Sequence, residues 1–386
     1  MDYSSIYLAD DFKRANSVLY GAQEMDTWAG VRLFSSRHEV WRLSVSPNNG
    51  ELQLTDPCGN KIVSGFFTIA NKYGDRNYWR TLFSYFDPSL AQYGLSQIRE
   101  FFQQVNNDFT FDIWWAETQF YDAVMPKERI IITRSVNFEP IHVMGEDPSI
   151  FRYVRKFLKM ASEKRVSKSG AVIPISPLDS IRYSRLNIQC GPVIPLRQLA
   201  FLNTEEKSTP EVSDYFVMAG SSFDIRHNKR NLEFILNKIA PILLVLEPKI
   251  KIKIFGSRIP INLKPANNVE MHGFREDYQD QLKNSLGTIV PFHGGAGMQS
   301  KVFEPLALGV PLIANPKSLV GYPFLPNVHY LPATNEFEYV TQMVALAENL
   351  ALRKTLTSNS ISLSIKLFNK QVLMEKIHEI CARALN

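Results

Sequence analysis

Cysteine is scarce in this chain of 386 residues. Its three cysteines, Cys58, Cys190 and Cys381, lie far apart and form no CxxC pair. Neither a disulfide framework nor a cysteine-based zinc site is therefore expected, and the pattern favours a reduced, cytosolic setting. No DxD motif and no His, Cys and Asp cluster with metal-ligand spacing occurs either, so we expect no metal and no other cofactor.

Long apolar runs are also missing. The most apolar stretch, IAPILLVL at residues 239–246, is far shorter than the roughly 20 residues that a bilayer span needs. The first residues carry acidic side chains and lack the basic start of a signal peptide. We therefore expect a soluble cytoplasmic protein, with peripheral attachment to the inner face of the plasma membrane as the alternative.

Charge of one sign does not dominate the chain. Lys and Arg total 43 against 38 Asp and Glu, which gives a formal charge of +5. This excess is too small to indicate a nucleic-acid partner. Hydrophobic residues make up 45% of the sequence and charged residues 21%, which is the composition of a folded globular protein.

Apolar runs alternate with amphipathic segments along the chain, which predicts βα units and parallel sheets. Strands are predicted at residues 5–10, 37–46, 112–117, 129–135, 171–177, 214–220, 251–256, 268–273, 287–292 and 310–315. Helices are predicted at 28–36, 90–105, 148–166, 231–246, 277–286, 299–308, 336–350 and 368–384. The proline-containing polar stretch at 192–213 is typical of a linker between two domains.

The densest chemical signal is PFHGGAGMQSKVFEPLALGVPLIAN, residues 291–315. An apolar strand runs into a glycine-rich turn, and a helix with Lys301 and Glu304 in its first two turns follows. Glycines let the backbone approach a ligand, and a helix start presents free N–H groups to an anion. Lys301 suits a phosphate and Glu304 suits paired sugar hydroxyls, so the segment predicts a nucleoside diphosphate. The alternative is a purely structural turn, because strand–glycine–helix connections are common. The sequence GAGMQS also matches the dinucleotide-binding pattern GxGxxG, but only in part.

This segment resembles the donor site of retaining, nucleotide-sugar-dependent glycosyltransferases of the group-1 (family 4) type. The segments FVMAGSSFD, IKIFGSR and VEMHGFRED occur in that family's order, so the resemblance covers the second half well and is thinner in the first. It implies an α/β, GT-B fold with two facing Rossmann-like domains, parallel sheets and a cleft between the domains. The acceptor domain would span 1–195 and the donor domain 196–367, with a final helix, 368–386, crossing back to the first domain.

The resemblance also implies an activity. A sugar would pass from a nucleotide-diphosphate donor of the UDP or GDP type to a hydroxyl of a glycan or lipid-linked glycan. The anomeric configuration would be retained and no metal would be needed. The alternatives are a nucleotide-sugar epimerase of related fold and a catalytically silent subunit that binds a nucleotide sugar or glycan.

Donor-site residues follow from the resemblance position by position. The family usually has two Glu residues separated by seven positions. Glu304 matches the second, which holds the ribose, and Ala296 stands in place of the first. Ser221 replaces a family Arg, so Arg226 is the expected diphosphate ligand, with Lys229 and Arg230 as solvated charges. The residues expected around the donor are Gly220, Ser221, Arg226, Gly273, Phe274, His293, Gly294, Gly295, Ala296, Gly297, Met298, Gln299, Ser300, Lys301 and Glu304.

Catalytic candidates in the first half follow the apolar segment RIII, residues 129–132. Arg134, Asn137, Glu139 and His142 occupy the place where an active-site loop is expected. We predict that at least one of them acts at the donor sugar. The alternative is that Glu139 and His142 cap the next helix.

A basic amphipathic helix is predicted at 151–168. Seven Lys and Arg residues oppose one acid, Glu163, and an apolar stripe runs through Phe151, Val154 and Phe157. Such a helix can lie on an anionic membrane, where lipid-linked acceptors reside. The alternative is a surface helix whose apolar stripe packs on the core.

Overall fold

The computed structural model describes residues 4–10, 29–46, 50–67, 95–117, 124–135, 138–146, 150–166, 170–195, 213–260, 263–275, 277–294 and 298–385. The chain divides into two compact units. Unit 1 comprises Met1–Arg197 together with Lys370–Asn386, and unit 2 comprises Gln198–Asn369. Most of the predicted linker, residues 196–212, lies outside the described residues.

Unit 1 is built on a seven-stranded sheet with the order β4-β3-β2-β1-β5-β6-β7. Its strands are β1 (Ser4–Asp10), β2 (Glu39–Val45), β3 (Glu51–Thr55), β4 (Lys61–Phe66), β5 (Ile113–Ala116), β6 (Ile131–Ser135) and β7 (Gly170–Pro174). Its helices include α1 (Leu95–Asp108), α2 (Glu139–Glu146), α3 (Arg152–Val166) and α4 (Pro177–Ser184). The predicted strand at 5–10 is confirmed as β1, in the middle of the sheet.

One edge of the first sheet is antiparallel, unlike the parallel sheet expected there. Strand β2 pairs antiparallel with β3, and β3 pairs antiparallel with β4. A tight turn joins β3 to β4, where the carboxylate of Asp56 accepts the backbone N–H of Asn60 at 2.7 Å and Gly59 has a φ of 92°. The sequence DPCGN supplies the turn residues that such a hairpin requires.

Unit 2 has a six-stranded parallel sheet with the order β10-β9-β8-β11-β12-β13. Its strands are β8 (Tyr215–Ser222), β9 (Lys251–Ser257), β10 (Val269–Gly273), β11 (Gly287–Val290), β12 (Leu312–Ala314) and β13 (Leu331–Pro332). Its helices are α5 (Arg226–Phe234), α6 (Ala240–Leu246), α7 (Tyr278–Lys283), α8 (Ser300–Ala307), α9 (Glu336–Glu348) and α10 (Leu350–Leu367). The last helix, α11 (Lys370–Leu385), belongs to unit 1.

The helix predicted at 231–246 begins earlier, at Arg226, and is not uniform. A π-helical turn, Ile235–Ile239, joins α5 to α6. The N–H of Ala240 donates to the carbonyl of Ile235, five residues earlier. Pro241 follows at once and has no N–H to donate, so the wider turn lies where the regular hydrogen-bond pattern would be broken.

The strand order of unit 2 reverses between β8 and β11. The chain first adds β9 and β10 on one side of β8, then returns to place β11 on its other side. In open parallel sheets, ligands bind beyond the carboxyl ends of the two strands at such a reversal. We call this place, where β8 and β11 end and α5 and α8 begin, the switch point of unit 2.

Two glycines bring the ends of β8 and β9 into close contact. Gly256 has a φ of 146°, and a Cβ there would lie 2.0 Å from the carbonyl oxygen of Gly220. The same Cβ would lie 2.8 Å from the ring of Phe223, which is fully buried. Any side chain at position 256 would therefore separate the two strands just before the switch point.

We predict that Gly256→Ala lowers the free energy of unfolding by about 3 kcal/mol, through backbone strain and the clash with Gly220. The measurement is urea denaturation of the full chain. Gly273→Ala is the matched control, because φ at Gly273 is also positive, at 67°, but no atom lies within 4 Å of the added Cβ. Its expected cost is about 1 kcal/mol, and equal losses for both variants would contradict the proposed contact.

Candidate functional site

Two helices begin at the switch point without a side-chain cap. In α8 the residue before the helix is Gln299, and in α5 it is Ile225; neither side chain caps the first N–H groups. The carboxyl ends of parallel strands lie at one edge of the sheet, so both helix starts lie at that edge. Free N–H groups and the positive end of the helix dipole favour an anion there.

Lys301 is tied to the end of β8 through a buried amide. Its Nζ donates to Oδ1 of Asn228 at 3.5 Å, and Nδ2 of Asn228 donates to the carbonyl of Ser222 at 2.9 Å. Asn228 is only 4% exposed, whereas Lys301 is half-buried. The contact therefore holds the ammonium of α8 next to α5.

His293 is held by a second amide of α5. Its Nδ1 lies 3.0 Å from Oδ1 of Asn231, which is buried, and its ring lies 4.9 Å from that of Phe234. Burial, with a smaller contribution from the charge of Arg230, lowers the pKa of His293. An amide oxygen accepts, so the neutral ring carries its proton on Nδ1 and leaves the Nε2 lone pair as an acceptor.

Glu304 is a carboxyl group with a raised pKa. Burial raises the pKa of Glu304 to about 7, although hydrogen bonds from Gln279 and Tyr278 oppose the shift. Nε2 of Gln279 lies 3.4 Å from Oε1, and the Tyr278 hydroxyl lies 3.5 Å from Oε2. Both partners belong to the segment after β10, so Glu304 connects α8 to that segment.

The loop after β10 presents an open backbone and an aromatic ring. No atom would meet a Cβ at Gly273, and Phe274 is exposed. The guanidinium of Arg275 pairs with Asp277 through two bonds of 2.6 and 2.9 Å. His272 stacks on Phe255 with ring centres 5.1 Å apart. Phe274 thus offers a ring face beside a backbone that a flat ligand can approach.

The remaining donor candidates divide between the end of β8 and the start of α5. Gly220 lies near the end of β8, Ser221 is exposed, and Arg226 opens α5 with a half-buried side chain. Lys229 is exposed beside Glu233, at 4.0 Å, and Arg230 is exposed as well.

The glycine-rich turn itself is described only at its edges. Gly294 has a φ of 123°, Met298 is buried, and Ser300 is the first residue of α8. Gly295, Ala296 and Gly297 lie outside the described residues.

Two residues of this site were not predicted from the sequence: Asn228 and Asn231. Both lie on a helix that also contains several charged residues, and such a run of polar and charged residues is typical of a face exposed to solvent. Their spacing of three residues puts them on one side of α5, and this was the available signal.

In unit 1 the structure places Arg134 in the interior and not at an exposed strand end. Its guanidinium is fully buried and bonds Oε2 of Glu117 through Nε at 2.9 Å and Nη2 at 2.5 Å. A further bond of 3.2 Å joins Nη1 to the carbonyl of Ile194. Trp115 also donates to Glu117, at 2.6 Å. These contacts hold the side chain of Arg134 in the interior of unit 1.

Two of the other candidates of unit 1, Glu139 and His142, lie in a helix and not in the predicted loop. Glu139 is the first residue of α2, and its backbone N–H donates to Oε1 of Glu163 at 3.2 Å. His142 lies within the same helix, and Asn137 is outside the described residues. The expectation of a loop through 139 and 142 is therefore corrected to a helix that starts at 139.

A buried network that the sequence did not reveal lies below this helix start. The Tyr183 hydroxyl is 2.7 Å from Oε2 of Glu163 and 2.6 Å from Oγ of Ser135. Burial raises the pKa of Glu163 to about 8, and burial together with Glu163 raises that of Tyr183. The network joins β6, α3 and α4.

Among the described residues, no three His, Cys, Asp or Glu side chains cluster so as to hold a metal ion. In the same part of the chain, no helix is long and apolar enough to cross a membrane.

No protein-family model and no curated protein sequence matches the chain. Solved structures do. Sucrose-phosphate synthase from Thermosynechococcus elongatus is 15% identical with a TM-score of 0.67, covering 99% of this chain and 98% of its own. HepE from Anabaena, in complex with UDP and glucose, is 13% identical with a TM-score of 0.60, covering 98% and 99%.

TarM of S. aureus has a TM-score of 0.60 at 11% identity. The match covers 86% of this chain and 66% of TarM, so the chain spans slightly less than two thirds of that protein. These similarities, with the α/β units and parallel strands, identify the fold. The chain has the GT-B fold of glycosyltransferases.

We predict that Arg134→Met lowers the free energy of unfolding by about 3–5 kcal/mol, because it leaves the Glu117 carboxylate buried without its cation. Adding Glu117→Leu is expected to recover part of that loss, so the double variant costs less than the two single variants together. Urea denaturation measures both. Arg275→Ala, which breaks an exposed pair, is the control and is expected to change little. Additive losses at 117 and 134 would contradict a coupled pair.

Proposed function

We propose that this protein is a glycosyltransferase that moves a sugar from a nucleotide-diphosphate donor to a hydroxyl of a glycan or lipid-linked glycan. The donor is of the UDP or GDP type, the reaction retains the anomeric configuration, and neither a metal nor another cofactor takes part. The observation that carries the proposal is that Lys301 and Glu304 lie about one turn apart on α8, at the switch point of a parallel sheet.

Charge at the switch point is suited to a leaving diphosphate. The start of α8, the ammonium of Lys301 and the guanidinium of Arg226 supply positive charge where the nucleoside diphosphate departs. Groups that are held in place before the reaction need little reorganisation as charge develops. The amide of Asn228 holds Lys301 in place in this way, because it connects the ammonium to the carbonyl of Ser222 at the end of β8.

The nucleoside would lie toward β10. The carboxylate of Glu304 accepts hydrogen bonds from paired ribose hydroxyls, and Phe274 offers its ring face to the base. Nε2 of neutral His293 is an acceptor for a hydroxyl of the donor sugar. Solved HepE structures contain UDP and UDP-glucose, and one of TarM contains UDP, which supports a UDP donor.

The proposed setting is cytoplasmic, with a glycan or a lipid-linked glycan as acceptor. Asn137, Glu139 and His142 of unit 1 remain predicted catalytic residues, at least one of which acts at the donor sugar. Ala296 stands at the place of the first Glu of the family that the segment resembles, so no carboxylate is available there for the donor sugar.

A thermal-shift screen against UDP, GDP, ADP and their sugar conjugates tests the donor site. We expect one nucleotide class to raise the melting temperature of the full chain. Glu304→Ala should weaken its binding by about 10- to 100-fold, the worth of hydrogen bonds to a charged group. Glu233→Ala, at an exposed position of the same unit, is the control. Stabilisation by none of these compounds would refute the donor site.

Nucleotide-sugar affinity should depend on pH through Glu304. A carboxylate that accepts ribose hydroxyls must be ionised, and the pKa of Glu304 is raised to about 7 in the free protein. Affinity is therefore full above pH 7 and falls as the pH drops through 7, by about tenfold from pH 8 to pH 6. Isothermal titration of the parent and of Glu304→Gln measures this. The Gln variant cannot ionise, so an equal pH dependence in both proteins would contradict the assignment.

A further inference from the structure

Helix α3 and the residues just before it present several large apolar side chains to solvent. The sequence allowed two orientations, and the structure corrects the one in which the apolar stripe packs on the core. Phe157 is 72% exposed, and Ile150, just before the helix, is 81% exposed. The other large apolar side chains on this face are also exposed: Phe151, Tyr153 and Val154. We call these five residues the α3 apolar face.

The polar side of α3 is directed inward. Lys159, Ser162 and Glu163 are the buried side chains among those described in this helix, residues 152–165. Glu163 accepts from the Tyr183 hydroxyl at 2.7 Å and from the backbone N–H of Glu139 at 3.2 Å. A rotation that buried the apolar face would take Glu163 away from both partners. The outward orientation is therefore fixed by specific hydrogen bonds of unit 1.

Positive charge borders the α3 apolar face. At 3.6 residues per turn, Lys156, Lys164 and Arg165 lie beside this face, whereas Arg152 and Arg155 lie toward the buried side of the helix. The one acid of the helix, Glu163, is buried on the opposite side. A contiguous apolar face bordered by cations matches the interfacial region of an anionic bilayer, with acyl chains below and acidic headgroups beside them.

We propose that the α3 apolar face docks unit 1 onto the surface of an anionic membrane. The helix of 15 residues would lie in the membrane plane, over roughly 22 Å at 1.5 Å per residue, with its aromatic rings inserted and its cations at the headgroups. Pairing with a second copy of the chain is disfavoured, because it would bring the two sets of cations together. The proposal does not rest on the donor site.

Vesicle flotation of the full chain tests the proposal, with phosphatidylcholine vesicles compared with phosphatidylcholine containing phosphatidylglycerol. We expect binding to the anionic vesicles that weakens as salt is raised. Phe151→Ser with Phe157→Ser should lower the partition coefficient at least about tenfold, through the lost apolar insertion. Lys156→Glu with Lys164→Glu should lower it by a similar factor.

Val245→Ser with Phe337→Ser is the matched control, because both side chains are large, apolar and exposed but belong to unit 2. This variant should bind vesicles like the parent. Absence of binding to anionic vesicles, or equal binding by the α3 variants, would overturn the proposal. Two other results would also overturn it. One is a dimer that forms without lipid as the protein concentration rises and that Phe157→Ser abolishes. The other is binding of single-stranded RNA but not of vesicles.

Discussion

The reversal of strand order at β8 is the constraint on which the candidate site depends. Because β9 and β10 lie on one side of β8 and β11 lies on the other, the loops after β8 and β11 diverge and leave room between them. The close contact of Gly220 with Gly256 then fixes where β8 ends. Helices α5 and α8 begin beside that end, so two uncapped helix starts share one edge of the sheet.

Buried amides convert this geometry into a chemical site. Asn228 and Asn231 lie on one side of α5 and contact Lys301 and His293 across the reversal. A buried amide is costly unless its hydrogen bonds are made, so each of these contacts also stabilises the packing of α5. The ammonium and the imidazole are thereby positioned by groups that hold the unit together. Glu304 is positioned in a different way, by the segment that follows β10.

The strands of unit 2 could be predicted from the sequence because both faces of the sheet are covered. Segments such as GTIV in β11 are buried at every position and read as continuous apolar runs. Helix α10 was not predicted, since Ser, Thr and Asn fill its sequence and give it almost no apolar periodicity. In unit 1, β3 and β4 were missed because they are short and alternate polar with apolar residues.

Site residues could be predicted where their chemistry is local and not where it depends on distant partners. Lys301 and Glu304 follow a glycine-rich turn within one segment. The burial of Arg134 depends on Glu117, which is 17 residues away and directly follows the neighbouring strand β5. The pattern of apolar residues within one segment cannot reveal a partner in another segment. The outward face of α3 is a further case. The pattern predicts an apolar stripe, but the hydrogen bonds of Glu163 with Tyr183 and Glu139 decide which side faces inward.

The most direct test of the account is a crystal structure of the full chain with a nucleoside diphosphate. We expect density for the diphosphate between the ends of β8 and β11, within hydrogen-bond distance of Lys301 and the N–H groups at the start of α8. We also expect both ribose hydroxyls at the carboxylate of Glu304. A nucleotide bound at another edge of either sheet, with no contact to Lys301 or Glu304, would contradict it.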